Sequence, residues 1–86
     1  MKLDNRITEL IAIGASVTAN CQPCLQYHVS KALESGASDL EIAEAIEVAK
    51  AVRKGAAGKM DQFAATISKT APSNAGVPAA AGCGCS

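Results

Sequence analysis

Apolar side chains recur along this chain at spacings of three and four, and nowhere do they alternate. That single property restricts the fold to helices, because a strand half-buried in a sheet needs a period of two. Ile7, Leu10, Ile11, Gly14, Val17 and Thr18 mark an amphipathic helix from about Asp4 to Ala19. Asn20 is expected to cap a second helix carrying Cys21, Cys24 and His28, with Pro23 tolerated in its first turn, where amide hydrogens lack intrahelical partners. Leu25, Val29, Ala32 and Leu33 supply its buried stripe, and Gly36 closes it as a glycine just past a helix end does. Ser38-Asp39-Leu40-Glu41 reads as a capping box opening a third helix, with Ile42, Ala43, Ile46, Ala49 and Val52 inward. Lys50, Arg53 and Lys54 would fill the last turns of that helix and complement its dipole. Gly55 and Gly58 are expected to interrupt it, by close packing or a bend. A fourth helix with Met60, Phe63, Ala64 and Ile67 then runs to about Thr70.

The expectation is therefore an all-α subunit of about four helices over residues 1–70. A flexible, uncharged Ala/Gly/Pro/Ser tail over residues 71–86 follows, ending in Cys83-Gly84-Cys85-Ser86. A core of about 70 residues is marginal by itself. With only Tyr27 and Phe63 as aromatics and no Trp, burial shared among several subunits of a homo-oligomer is expected. Eight basic and eight acidic side chains balance, and no basic, aromatic-studded patch points to nucleic acid. No apolar run approaches the roughly 18 residues of a membrane span. Asp4, Arg6 and Glu9 break up any signal-peptide core, so a cytoplasmic protein is expected.

In that compartment a Cys-x-x-Cys is kept reduced or cycles, which makes Cys21-Gln22-Pro23-Cys24 a redox or metal pair rather than a static brace. Cys21 should sit at about the first helical position, where free amides and the positive dipole end stabilise a thiolate. The second thiol of such a pair resolves the mixed disulfide or sulfenic acid formed by the first. His28 lies four residues after Cys24, on the same helix face, and can take a thiol proton and return it to a leaving group. The helical surroundings exclude a thioredoxin fold, which needs strands beside the pair.

Glu9, eleven residues, Cys21-x-x-Cys24, three residues and His28, followed by the helical stretch Ala37 to Ile46, resemble the AhpD-like, carboxymuconolactone decarboxylase family. The resemblance covers about Glu9 to Phe63 and implies an all-α fold in trimers or hexamers. From its alkylhydroperoxidase branch it implies that Cys24 attacks peroxide, Cys21 resolves, and His28 with Glu9 relays protons. The dipole argument alone favours Cys21 as the more activated thiolate, whereas the register of His28 favours Cys24. For disulfide substrates Cys21 is the candidate first attacker. The branch usually carries a second His directly before the second cysteine, and here that position is Pro23. This removes part of the relay that peroxide reduction uses and leaves thiol–disulfide exchange less affected. The decarboxylase branch lacks the cysteine pair, so lactone decarboxylation is not expected.

The leading expectation is a thiol oxidoreductase with antioxidant, alkylhydroperoxidase-like activity. It would need no bound cofactor, and would take a hydroperoxide or disulfide substrate and a thiol or protein reductant. The runner-up is a metal or metalloid protein in which Cys21, Cys24 and His28, with Cys83 or Cys85, hold Zn, Cu(I) or an arsenic-like ion. A helical assembly module with remnant cysteines is a third reading. Cys83 and Cys85, on a tail spanning roughly 40 Å if extended, are candidate shuttle thiols for the Cys21–Cys24 pair.

Overall fold

A computed structural model of the chain describes residues 2–68. Among them are three helices and no strand: α1 (Asn5–Thr18), α2 (Gln22–Glu34) and α3 (Asp39–Ile67). The all-α expectation holds, with three helices in place of about four. Gly55 and Gly58 do not interrupt α3, which runs through both. A glycine inside a helix costs about 1 kcal/mol relative to Ala, and Lys54, Ala56, Ala57 and Lys59 are strong helix formers around them. Neither glycine would bring an added Cβ within 4 Å of a neighbour, so neither marks a close approach. The chain divides into two compact units, Met1–Gly55 and Ala56–Ser86. The tail expected over residues 71–86 lies outside the described residues.

The local signals explain the helix ends of the first unit. Asp4 caps α1, its Oδ1 accepting the Ile7 N–H at 2.8 Å. The Ser38–Glu41 capping box forms reciprocally, Glu41 N–H to Ser38 Oγ at 3.1 Å and Ser38 N–H to Glu41 Oε1 at 3.0 Å. Glu41 also pairs with Arg6, which ties the start of α3 to α1. Gly36 ends α2 at φ 95°, with Ala37 N–H reaching Ala32 O at 2.9 Å and Gly36 N–H reaching Leu33 O at 3.1 Å. That six-to-one and five-to-two pair is the Schellman closure, which a glycine adopts without Cβ strain.

The core is small. Ile13, Ala32, Ala37 and Ile42 form it, with Leu10, Leu25, Val29, Ala45 and Ile46 packed around them. Ile13 is the one large side chain fully buried among the described residues, and it was not in the stripe read from the sequence. Most of that stripe faces elsewhere, although Val17 is buried and Leu10 also packs against the core. Ile7, Leu10, Ile11, Gly14 and Thr18 line an open apolar groove of about 520 Å³ between α1 and α3, opposite Ala45, Val48, Ala49 and Val52. Helix α1 is apolar on two faces; the Ile13 face went to the core and the Ile11 face did not. Ile11, Val48 and Val52 remain more than half exposed. At Gly14 an added Cβ would make an ordinary contact with that of Ala49 at 3.8 Å, so the approach of α3 here does not depend on glycine.

Candidate functional site

The turn between α1 and α2 sets the site. Asn20 has φ 57°, a left-handed conformation, and its N–H reaches Val17 O at 3.0 Å while Cys21 N–H reaches Ser16 O at 3.0 Å. This is a second Schellman closure, with asparagine where α2 uses Gly36. Asn20 therefore ends α1 instead of capping α2. The cap of α2 is Cys21, extended at φ −106° and ψ 100°, whose Sγ accepts the Cys24 N–H at 3.3 Å. A left-handed residue cannot serve as the extended cap residue, so the cap moves one position along the chain. One short segment thus closes one helix and opens the next, and the Cys21 sulfur itself is the capping acceptor.

Pro23 falls in the first turn of α2, as expected. It has no N–H to satisfy, and the Cys24 N–H already has Cys21 Sγ. Cys21 and Cys24 are joined in a disulfide with Cα atoms 5.3 Å apart. Cys21 is half-buried and Cys24 is exposed. Cys24 is thus the more exposed residue of the pair.

His28 stands one helical turn beyond Cys24. Its Nδ1 lies 2.7 Å from Glu9 Oε1, joining α2 to α1 across 19 residues of sequence. Both side chains are largely shielded, at 30% and 19% exposure. An ionised carboxylate can only accept, so Nδ1 donates and the neutral ring keeps its lone pair on Nε2. The Tyr27 ring meets the His28 ring edge to face, centroids 5.0 Å apart. Of the residues read from the sequence, the structure brings together Cys21 with Cys24 and His28 with Glu9. Cys83 and Cys85 lie outside the described residues. Among the described residues, no three His, Cys, Asp or Glu side chains converge to hold a metal ion.

One residue of this region carried a different reading in the sequence. Lys50, Arg53 and Lys54 fall in the middle of α3, not in its last turn, because α3 continues to Ile67. Arg53 serves a different helix: its Nη1 donates to Val17 O at 3.0 Å and to Asn20 Oδ1 at 2.9 Å. Helix α1 has no basic residue in its own last turn. That lack is the signal that could have pointed to a cation supplied from elsewhere in the chain.

Among the described residues no helix is long and apolar enough to cross a membrane. No solved structure matches the chain significantly. The chain is 42% identical over 55 residues to a Paracoccus denitrificans protein called "Uncharacterized protein 4 in cox locus". The aligned stretch is 64% of this chain and 50% of that protein, so the chain spans about half the length of this curated relative. Residues 1–68, which include Glu9, Cys21, Cys24 and His28, match the carboxymuconolactone decarboxylase family. With most of its length matched, the chain belongs to that family.

Proposed function

We propose that this protein is a thiol–disulfide oxidoreductase with alkylhydroperoxidase-like activity, working through Cys21 and Cys24. The observation that carries the reading is a disulfide at the start of α2 one turn from a histidine hydrogen-bonded to a carboxylate. Residue exposure supports a division of roles toward a hydroperoxide: the exposed Cys24 bonds to the substrate, and the half-buried Cys21 closes or reopens the disulfide.

With a hydroperoxide, His28 takes the Cys24 thiol proton and the thiolate attacks the outer peroxide oxygen. An S–O bond forms, the O–O bond breaks, and the alkoxide takes the proton back from His28 and leaves as alcohol. The Cys21 thiol then attacks the Cys24 sulfenic acid, forming the disulfide, and its proton leaves with the hydroxide as water. An external dithiol restores the pair: one of its thiolates attacks Cys24 Sγ and Cys21 leaves as a thiolate. The second thiolate of the dithiol then attacks the dithiol sulfur of the mixed disulfide and releases Cys24. A cysteine sulfur that already accepts the Cys24 N–H at a helix start is a stabilised leaving group. With a disulfide substrate, for which Cys21 is the candidate first attacker, its thiolate forms a mixed disulfide and expels one substrate thiolate; Cys24 then attacks the Cys21 sulfur, closing the pair and releasing the second substrate thiolate. Pro23 stands where the resemblance calls for a second relay histidine, which weights the reading toward disulfides.

The protein acts in this reading as a homo-oligomer, trimer or hexamer. Support comes from the small core and from the groove-lining side chains left more than half exposed.

The test is single turnover. Reduced protein is mixed with one equivalent of cumene hydroperoxide or of an aromatic disulfide, and intact mass is followed. With Cys83→Ser and Cys85→Ser in place, a loss of two mass units is expected, and none once Cys24→Ser is added. A reduced protein that leaves both oxidants untouched refutes the reading, and stoichiometric Zn that survives mild chelation would replace it with the metal-binding one.

A further inference from the structure

We propose that Arg53 is a positioning residue for the Cys21 sulfur, acting from α3 through the turn that joins α1 to α2. Its two hydrogen bonds, to Val17 O at 3.0 Å and Asn20 Oδ1 at 2.9 Å, fall on the residue directly before Cys21 and on the one three positions ahead of that. Both bonds leave from the same terminal nitrogen, which has two hydrogens to give. They cross 36 and 33 residues of sequence, so they tie a distant helix to this turn.

The turn needs such a tie. Asn20 is left-handed at φ 57°, a conformation that an L residue other than glycine adopts at a cost of about 1–2 kcal/mol. Asparagine tolerates it better than most, and the grip on Oδ1 fixes the side chain as well as the backbone. The Val17 carbonyl is one of those left without a helical partner at the end of α1. It receives the Asn20 N–H and the guanidinium, and the cation meets the negative end of the α1 dipole.

Cys21 inherits this geometry. Its N–H closes α1 on Ser16 O, its carbonyl accepts the Leu25 N–H at 3.0 Å, and its Sγ accepts the Cys24 N–H. A turn that shifts would carry Cys21 Sγ away from that donor. In the reduced protein the thiolate would then lose a hydrogen bond that favours its charged form. Arg53 thus sets how readily Cys21 exists as a thiolate, with no contact to the sulfur required.

The inference takes from the proposed function only that Cys21 is a reactive thiol, and its test needs no turnover. The full chain is made with Cys24→Ser, Cys83→Ser and Cys85→Ser, so that Cys21 is the sole thiol. The rate of alkylation by iodoacetamide is measured across pH, with and without Arg53→Ala. Arg53→Ala is expected to slow alkylation at pH 7 by at least about threefold and move the midpoint to higher pH. The difference is expected to vanish in urea, where the fold no longer holds the turn. A role confined to overall stability would lower the thermal midpoint of the variant and leave its alkylation midpoint in place at temperatures where it stays folded. Asn20→Gly, which keeps the left-handed backbone and removes only the Oδ1 anchor, is expected to shift the midpoint in the same direction by less. It decides the matter if Arg53→Ala lacks the helical circular dichroism of the parent. An unchanged midpoint in a folded Arg53→Ala, or in Asn20→Gly where that variant alone folds, overturns the proposal.

Discussion

Replacing Glu9 with Gln tests the coupling between α1 and the thiol pair most directly. The change keeps the size of the side chain and removes the negative charge 2.7 Å from His28 Nδ1. A hydrogen bond to a charged group is worth about 1.5–3 kcal/mol net. With Glu9 at 19% and His28 at 30% exposure, solvent screens part of this, and the lower end applies. A loss of about 1.5 kcal/mol from the transition state corresponds to roughly a tenfold slower reaction. The carboxylate touches neither thiol, so the loss should reach the chemistry only through the imidazole. His28→Ala should cost more, on the order of a hundredfold, as removal of a proton-transfer group does. The double variant should be no slower than His28→Ala, because Glu9 then has nothing to orient. The assay is stopped-flow oxidation of reduced protein by a model disulfide under single-turnover conditions. Two results would refute the reasoning: an unchanged rate in Glu9→Gln, or a double variant slower than His28→Ala by the full factor of ten.

Three further outcomes follow from the packing. Ile13→Ala empties the fully buried centre of a core of four residues and should cost about 2–5 kcal/mol, read as a lower urea midpoint or loss of a cooperative transition. Asn20→Ala should lower stability by about 1 kcal/mol in thermal melts, while Asn20→Gly should cost less, because only glycine takes φ 57° freely. Val48→Glu places a charge in the apolar groove at a position 64% exposed, so an isolated chain should tolerate it. In the proposed oligomer it should shift the mass seen by light scattering toward the single chain, and an unchanged mass would place the interface elsewhere.

The sequence by itself determined several features held by hydrogen bonds between near neighbours. The helical period, the Ser38–Glu41 box, the Gly36 ending and the placement of Cys24 and His28 one turn apart are properties of four to six consecutive residues. These signals are legible because the partner of each backbone group lies within that span. The Glu9–His28 contact was different. A lone glutamate in an amphipathic helix has no local mark of function, and only the resemblance singled it out before the packing of α1 on α2 gave it a partner.

Tertiary structure decided the rest. Which of the two apolar faces of α1 enters the core is a question of what α2 and α3 present to it, and Ile13 met Ala32 and Ile42. Asn20 suits a helix start and a left-handed helix end about equally by type. The choice fell to the end, where Arg53 from α3 holds both its side chain and Val17 O. Arg53 reads in sequence as the basic close of its own helix, and only the continuation of α3 past Gly55 and Gly58 frees it for another. The cysteine pair is thus written locally, in a cysteine that caps its own helix. The turn before it is held by Arg53, 33 and 36 positions from Asn20 and Val17, a proximity that no short span of sequence encodes.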